Sequence, residues 1–444
     1  MNEKLTPCSQ LFLLVVSLQL YVKGKIMISP DFTKGLTLMK KVTLIFSVYT
    51  FILGILVGII AALFLAMVHF ATTFLWDYLP NQFAFSWYYP LLIGLIGSFF
   101  VGLVQLKLGD FPKSMHDNVA EAKKTGRIEY RKVLLPTILS AWIVLTFGAS
   151  VGPEAALIGI VGGATTWIID HLKLSMAHKE ELVSLSVGAI ISSIFHAPFS
   201  GLAEEIDESS QARKIPKNSK LVLSLLISFS ALGSFLWLKS FLKMPAGIFA
   251  IRLPDMGWSW WFILLFIPTI ILGWLFSIYF QQMQAYIAKA ASFIKNKMVA
   301  AVIGGLSIGL FGIISSFMLF SGEHQLIELT TTVQNYSIPF LLIIALLKPV
   351  LVAICLATGW NGGAIFPAIF TSTIMGYIAT FWLDGSTGFL ITIFVTASCT
   401  KIIGKPVLTA SILLFIFPLQ FFPFILLTTF IVNKNWLVNF KKTA

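Results

Sequence analysis

Residues Gly148–Gly159 read GASVGPEAALIG, and this stretch decides what kind of fold the chain has. Gly152-Pro153 begins a helical pattern, because Gly frees the backbone and Pro at the first helical position gives up an N–H group that has no partner there. Apolar sequence flanks it on both sides, and one carboxylate, Glu154, stands in the first turn. The stretch therefore predicts a helix that starts within a very apolar region.

The composition makes the lipid bilayer the solvent of this chain. Of its 444 residues, 57% are hydrophobic and 11% are charged, and Phe alone occurs 40 times. A soluble domain of this size has no means of hiding so much apolar surface. We therefore expect an integral, multi-pass protein of the plasma membrane that is surrounded by lipid.

The formal net charge of +12 would suit a nucleic-acid partner, but its distribution argues against one. The basic residues stand in short breaks between apolar runs, notably at 123–132 and 213–220, and again at 434–442. Positively charged loops that stay on the cytoplasmic side explain this pattern. We expect these breaks and the C-terminus inside the cell, and no nucleic acid as a partner.

Several apolar runs are shorter than the roughly 20 residues that a helix needs to cross a bilayer. Leu157–Ile169 and Phe389–Ala397 are examples. Short helices broken by Gly and Pro survive at membrane depth only where protein buries them or where they line a cavity. The pattern predicts discontinuous helices rather than a simple up-and-down bundle.

The two halves of the chain share an order of signals. GASVGPEAALIG is followed by FHAPFSG in the first half, and GWNGGAIFPAIF is followed by IGKPVLTA in the second. The two Pro helix starts lie 45 residues apart in the first half, at 153 and 198, and 39 apart in the second, at 367 and 406. This order predicts a duplicated, inverted unit with halves at 41–245 and 246–432. An extension at 1–40 precedes them, and a short cytoplasmic tail at 433–444 follows. Met39, with Lys40 and Lys41 after it, has the pattern of a natural start, so the preceding residues are an extended or misassigned beginning.

Helix starts at membrane depth are suited to binding anions. A helix N-terminus leaves N–H groups unpaired and carries roughly half a positive charge. Several such starts that converge make an anion site from partial charges, which also let the anion leave. A single Gly-Pro break is equally well a tight turn between two helices, but an ordered set of four favours an anion path.

Enzyme and metal signatures are absent from the sequence. The six histidines show no metal-ligand spacing, and Cys8, Cys355 and Cys399 form no redox or metal motif. No P-loop, nucleophile elbow or HExxH motif occurs. We expect no cofactor, no metal and no enzymatic activity.

Five segments together carry a family resemblance. They are GDFPKSMHDNVAEAK at 109–123, ASVGP at 149–153, HAPFSGLAEEIDE at 196–208, GWNGGAIFP at 359–367 and KPVLTASILL at 405–414. In this order they resemble the CLC family of voltage-gated chloride channels and proton/chloride antiporters. The resemblance implies an all-α polytopic membrane protein, with the CLC-type inverted repeat of re-entrant and tilted helices. It also implies a homodimer with one pore per subunit that moves chloride or another small anion.

The sequence departs from the family at positions that matter. The resemblance places the family's gating glutamate on Val151, which carries no proton. It places the central serine on Gly109 and the central tyrosine on Phe421, so both hydroxyl groups are missing. The inner proton-relay glutamate of the antiporters falls on Glu208.

What remains of the implied anion site is its backbone. The relevant N–H groups are those near Gly152 in the first half and those of Ala364 and Ile365 in the second. We expect a passive or weakly proton-coupled anion channel or transporter. The alternatives are a secondary transporter for a different anion and a CLC homologue that no longer transports.

Three further features have two readings each. Glu154 is either a first-turn cap that bonds free N–H groups or a displaced gate, one turn beyond Val151. Lys348 either raises the potential of the pathway or is a lysine that reaches the interface or pairs with a carboxylate. The acidic residues at 204–208 are partly explained as a solvated helix end, beside the possible proton role of Glu208.

Overall fold

A computed structural model describes residues 44–83, 87–114, 117–118, 120–121, 125, 127–172, 176–207, 217–245, 261–381 and 387–433. The predicted extension at 1–40, most of the seam between the halves, Glu208 and nearly all of the tail lie outside these residues. The described residues form helices and connecting turns, and no β-strand occurs among them.

The first half of the chain contributes eight α-helices among the residues that the structure describes. They are α1 (Leu44–Thr73), which continues as a π-helix over Phe74–Tyr78, α2 (Leu79–Phe83), α3 (Tyr89–Lys107), α4 (Leu134–Thr146), α5 (Glu154–Asp170), α6 (Met176–Ile194), α7 (Ser200–Asp207) and α8 (Lys217–Phe241).

The second half contributes eight more within the described residues. They are α9 (Trp261–Ala291), α10 (Lys297–Ile314), α11 (Gln325–Thr332), α12 (Ile338–Ala357), α13 (Ile365–Thr380), α14 (Thr387–Ile403), α15 (Pro406–Ile416) and α16 (Phe422–Val432). Short 3₁₀ turns lie at Ser316–Met318, Val333–Asn335 and Leu419–Phe421.

The helices divide into long spans and short buried segments. Within the described ranges, six helical stretches are long and apolar enough to cross a membrane, the longest being Phe46–Phe83 and Ile263–Ala291. The short helix α13 is buried along nearly its whole length, and α5 is buried over its first ten residues. Because protein covers these helices, they need not span the bilayer. The predicted all-α, multi-pass architecture with broken helices is confirmed.

Helices from the two predicted halves pack against each other. Helices α3 and α10 are in close contact, as are α7 and α15. The contact between α3 and α10 is glycine-to-glycine: a Cβ built on Gly94 would lie 2.2 Å from the carbonyl oxygen of Gly305. Small residues at such crossings let two backbones approach where a side chain would hold them apart. The two predicted halves are therefore in direct contact through these helices.

The substitution Gly94→Ala tests this packing. Its new methyl group would overlap the backbone of α10, and we expect a loss of about 1–3 kcal/mol of stability from overpacking. The measurement is thermal unfolding of the detergent-solubilised protein, followed by circular dichroism. Gly233→Ala in α8 is the control, since a Cβ on Gly233 meets nothing within 4 Å. Equal stability of the two variants would contradict the close approach of α3 and α10.

Candidate functional site

The Gly-rich breaks of the two halves meet at one point, here called the junction (residues 148–154 and 359–366). Gly152 and Gly363 exchange two backbone hydrogen bonds, N–H to O=C in each direction, both 2.7 Å long. Helix α5 begins at Glu154 and helix α13 at Ile365, directly after the bridged glycines. Two helix N-termini, one from each half, therefore lie side by side.

The two breaks are built in the same way. Each begins with a glycine four residues before the bridged one, Gly148 in the first half and Gly359 in the second. Both have a left-handed backbone, with φ of 84° and 86°. Only glycine adopts this conformation at little cost. The matching geometry explains why a weak residue-by-residue similarity still produces two equivalent turns.

The carboxylate of Glu154 crosses from the first half to the second. Its Oε1 accepts hydrogen bonds from the backbone N–H groups of Ile365, at 3.0 Å, and Phe366, at 3.2 Å. The side chain is buried, with 1% of its surface exposed. Glu154 therefore occupies the N-terminus of α13, a helix of the opposite half of the chain.

Both bridged glycines leave room for this carboxylate. A Cβ built on Gly152 would lie 1.9 Å from Oε2 of Glu154, and one built on Gly363 would lie 2.1 Å from the same atom. This Oε2 has no hydrogen-bond partner among the described residues. An unpartnered buried oxygen is costly, so it marks a place where a proton, a water molecule or a ligand would be accommodated.

The remaining junction residues are backbone and apolar. Val151 is buried and packs against Gly362, where a Cβ would lie 2.4 Å from the Val151 Cγ2 atom. Ala364 immediately precedes α13. The structure thus brings Val151, Gly152, Glu154, Ala364 and Ile365 together, and their role as an anion path stays a prediction.

The amide of Phe366 is part of this site although the sequence reading omitted it. The sequence analysis names the amides of Ala364 and Ile365, the two residues after Gly363. In the structure the free N–H groups of the first helical turn that bind Glu154 are those of Ile365 and Phe366. The Phe366 ring stacks on Phe195, with 5.0 Å between the ring centroids. That contact fixes the start of α13 against the loop after α6.

Gly109 lies in the turn after α3, with φ of 104°. A Cβ there would meet only the ring of Phe111 within 4 Å. The segment that follows does reach α5, because the Asn118 side chain donates to the carbonyl of Ala155 at 3.3 Å. The structure places this segment beside the first turn of α5, and the role of Gly109 stays a prediction.

The structure does not bring Phe421 to the junction. This residue belongs to a hydrophobic cluster with Phe266 and Phe389, separate from the cluster that contains Val151. Its ring packs edge-on to Phe389 with 5.3 Å between centroids. The turn at Pro418 that begins the last 3₁₀ segment directs Phe421 toward α9 and α14 instead.

Lys348 neither reaches an interface nor pairs with a carboxylate among the described residues. Its ammonium group is fully buried and donates to four successive carbonyls, those of residues 317–320, at 2.7, 3.3, 3.2 and 2.9 Å. It also lies 4.8 Å from the centroid of the Phe370 ring. The N–H of Phe320 in turn donates to the carbonyl of Gly148 at 3.2 Å. Lys348 therefore holds the chain segment that supports the first break.

Two acidic residues near the end of α7, Glu204 and Asp207, are more enclosed than a solvated terminus would make them. Glu204 is 5% exposed and forms a short ion pair with Lys405. Asp207 accepts hydrogen bonds from the N–H groups of Val407, at 3.1 Å, and Leu408, at 2.7 Å. A carboxylate of the first half thus caps α15 in the second half, as Glu154 caps α13. The expectation of a solvated end is wrong for Glu204, because the contact between α7 and α15 covers it.

Comparison with known proteins assigns the class. The family model described as "Voltage gated chloride channel" matches residues 97–433. In Arabidopsis thaliana, chloride channel protein CLC-f is 23% identical over 74% of this chain, and CLC-e is 23% identical over 73%. The matched parts cover 44% and 48% of those two proteins, so this chain spans less than half of their length.

Solved structures show the same fold. A CLC-type fluoride/proton antiporter superposes with a TM-score of 0.70 at 18% identity, covering 87% of this chain and 94% of the other. A slow cyanobacterial Cl⁻/H⁺ antiporter superposes with a TM-score of 0.68 at 16% identity, covering 87% and 92%. The chain belongs to the voltage-gated chloride channel (CLC) family.

The contact between Glu154 and the bridged glycines can be tested by a double-mutant cycle. Gly363→Ala should destabilise the protein by about 1–3 kcal/mol, because its methyl group would overlap the carboxylate. Adding Glu154→Ala should recover part of that loss, with a coupling of roughly 0.5–3 kcal/mol. Unfolding of the four proteins in detergent measures both values. Strict additivity of the two substitutions would contradict the described contact.

The cage around Lys348 predicts a strong stability effect. Lys348→Met replaces the lysine by an unbranched apolar side chain that is one atom shorter. It leaves four buried carbonyls without their shared donor, and we expect a loss of about 3 kcal/mol or more. Lys289→Met, at an exposed position in the last turn of α9, is the matched control and should unfold like wild type. Comparable melting of both variants would show that the ammonium group is not needed there.

Proposed function

We propose that this chain moves small inorganic anions, of the chloride or fluoride kind, across a membrane along a path that passes the junction. One observation carries the proposal: the amides of Ile365 and Phe366, at a helix N-terminus, already hold an anionic group. Helix N-termini favour negative charge through their free N–H groups and their dipole. Membership of the family and the likeness to two anion/proton antiporters support the same class of function.

We propose further that Glu154 is the gate of this path. As an anion itself, its carboxylate competes with the transported anion for the N–H groups of α13. Its unpartnered Oε2 can take up a proton, after which the neutral side chain binds these groups less strongly. If Glu154 were only a cap of α13, the same hydrogen bonds would form but would never break during transport.

The expected coupling to protons is weak or absent. Val151 stands where the family's gating glutamate falls, so one proton-carrying side chain is missing from the path. Protonation of Glu154 would then set how often the path is open without moving one proton for each anion. The rate at which anions cross would then depend on pH, whereas the direction of their movement would depend only on the anion gradient and the membrane potential.

Flux from proteoliposomes, with pH recorded in parallel, tests this proposal. Wild-type flux of chloride or fluoride should rise as the pH falls, by up to about tenfold per pH unit, the limit for a single proton. Glu154→Gln removes the charge at constant size and should give a high flux that no longer depends on pH. Stoichiometric counter-movement of protons would rule out the weakly coupled mechanism.

The control for this experiment is Glu328→Gln, which removes an exposed carboxylate from α11 and should behave like wild type. Unchanged flux and pH dependence in Glu154→Gln would leave Glu154 only its capping role. No anion flux at all from folded wild-type protein would instead favour a homologue that no longer transports. Sodium dependence with a larger substrate would favour a different secondary transporter.

Assembly and placement in the cell complete the proposal. We place the protein in the plasma membrane as a homodimer with one path per subunit, and with its C-terminus in the cytoplasm. The family resemblance supports the dimer, and the basic breaks between apolar segments support the orientation.

A further inference from the structure

Helices α3 and α10 run in opposite directions along each other. A Cβ built on Gly94 would lie 2.2 Å from the carbonyl oxygen of Gly305. One built on Gly102, about two turns further along α3, would lie 2.4 Å from the Sδ atom of Met298, about two turns back along α10. The end of α3 therefore lies beside the beginning of α10.

The end of α9 joins the same edge of the molecule. A short turn at 292–296 connects α9 to α10. The turn folds back on α9, since the N–H of Ile294 donates to the carbonyl of Ala291 at 2.9 Å. We call the place where the three helix ends meet the basic corner (residues 105–110 and 286–299).

Lysines give this corner its name. Asp110 is the one acidic residue in the two segments, and it pairs with Lys297 at 2.9 Å. Lys107, Lys289 and Lys295 are exposed and make no ion pair within the described part of the chain. Four lysines and one aspartate leave the basic corner with a net charge of +3.

Basic side chains in the neighbouring loop between α3 and α4 do have acidic partners. Lys113 pairs with Glu121 at 2.6 Å, and Arg127 pairs with Asp170 at 2.7 Å. The protein itself neutralises these charges. The three unpaired lysines of the basic corner instead raise the local potential, which attracts anionic groups from outside the chain.

Helix length places these lysines at the level of the lipid headgroups. Helix α3 has 19 residues, so it is about 28 Å long, close to the roughly 30 Å of the hydrocarbon core. Lys107 is its last residue and therefore reaches the boundary of that core. Helix α10 has 18 residues and begins at Lys297, beside the same boundary.

Exposed apolar side chains accompany the lysines. Phe293 in the turn is 80% exposed, Tyr286 on α9 is 63% exposed and Leu106 on α3 is 57% exposed. Tyr286 and Lys289 are three residues apart, so they lie on the same face of α9. Aromatic rings beside lysines are typical of the boundary between membrane and water. A water-soluble polyanion would leave these apolar groups uncovered, whereas a lipid covers them with its acyl chains.

We propose that the basic corner is a binding site for an anionic phospholipid of the phosphatidylglycerol kind. The lipid phosphate lies among Lys107, Lys289 and Lys295. The acyl chains cover Phe293 and Leu106. Each lysine near an anionic headgroup strengthens binding roughly fivefold. The site shares no residue with the junction, so it stands independently of the proposed function.

Native mass spectrometry of the full chain in a non-ionic detergent tests the site, with phosphatidylglycerol and phosphatidylcholine of identical acyl chains as the two probes. Wild type should bind phosphatidylglycerol at least roughly tenfold more tightly. Lys295→Gln should weaken that binding roughly fivefold and leave phosphatidylcholine unchanged. Lys107→Gln, Lys289→Gln and Lys295→Gln combined should remove the preference. Equal affinity of wild type for the two lipids would overturn the site.

The opposite membrane face offers a matched control. Tyr89, at the start of α3, donates to the carbonyl of Leu75, just beyond the end of α1. Thr73 at that end of α1 and Met244 just after α8 line one cavity. The exposed Lys243, next to Met244, therefore lies at the end of α3 that is remote from the basic corner.

Lys243→Gln removes one exposed lysine, as Lys295→Gln does, and should leave both lipid affinities unchanged. Both variants should melt like wild type in detergent, because neither lysine makes an ion pair within the described residues. An equal loss of phosphatidylglycerol binding in the two variants would show an effect of net charge alone and would contradict the site.

Two further measurements separate a lipid from a soluble anion. Phe293→Ala should weaken both lipids by the same factor, since it removes contact with the acyl chains and leaves the lysines in place. Glycerol 3-phosphate, which has the phosphate without the chains, should not displace phosphatidylglycerol. Displacement by glycerol 3-phosphate would indicate a soluble phosphate as the ligand, and displacement by a short oligonucleotide would indicate a nucleic acid. Either result would contradict the lipid site.

Discussion

The pairing of Gly152 with Gly363 is the contact on which the rest of the site depends. Two hydrogen bonds of 2.7 Å join the breaks of the two halves and place the N-termini of α5 and α13 next to each other. Because neither glycine has a side chain, the carboxylate of Glu154 fits against both and reaches the amides of the opposite helix. A side chain at either position would displace it. Backbone approach, helix polarity and the position of one acidic residue therefore form a single arrangement.

Hydrogen bonds between the two halves stabilise two of the buried carboxylates in this protein. Glu154 and Asp207 belong to the first half and cap helices of the second. Lys348 belongs to the second half and holds, through Phe320, a segment that bonds to Gly148 in the first. A charge in an apolar interior is tolerated only when its hydrogen-bonding groups are occupied. The same bonds therefore offset part of the cost of burying these charges and connect the two halves of the chain.

Much of the fold follows from local signals in the sequence. Apolar runs longer than about 20 residues predict spans, Gly-Pro breaks predict helix starts, and the ordered breaks predict the duplicated unit. The amides of Ala364 and Ile365 are instead implied by the resemblance to the CLC family, and their role in the anion path stays a prediction. Phe421 shows the limit of such reasoning. Its apolar ring is visible in the sequence, but its position beside Phe389 depends on how α9, α14 and α16 pack. Lys348 shows it again, since four carbonyls from residues 317–320 are not a pattern that spacing reveals.

The sequence by itself determined the solvent of this protein, the positions where helices start and the residues that can carry charge among them. These are local properties, set by hydrophobicity, by the conformational freedom of glycine and by the missing N–H group of proline. Only the tertiary structure decided what each charge faces. Glu154 stands in the first turn of α5, yet its partners are 211 and 212 residues away in α13. Contacts at such separation arise from the packing of one half against the other, and no local pattern specifies them.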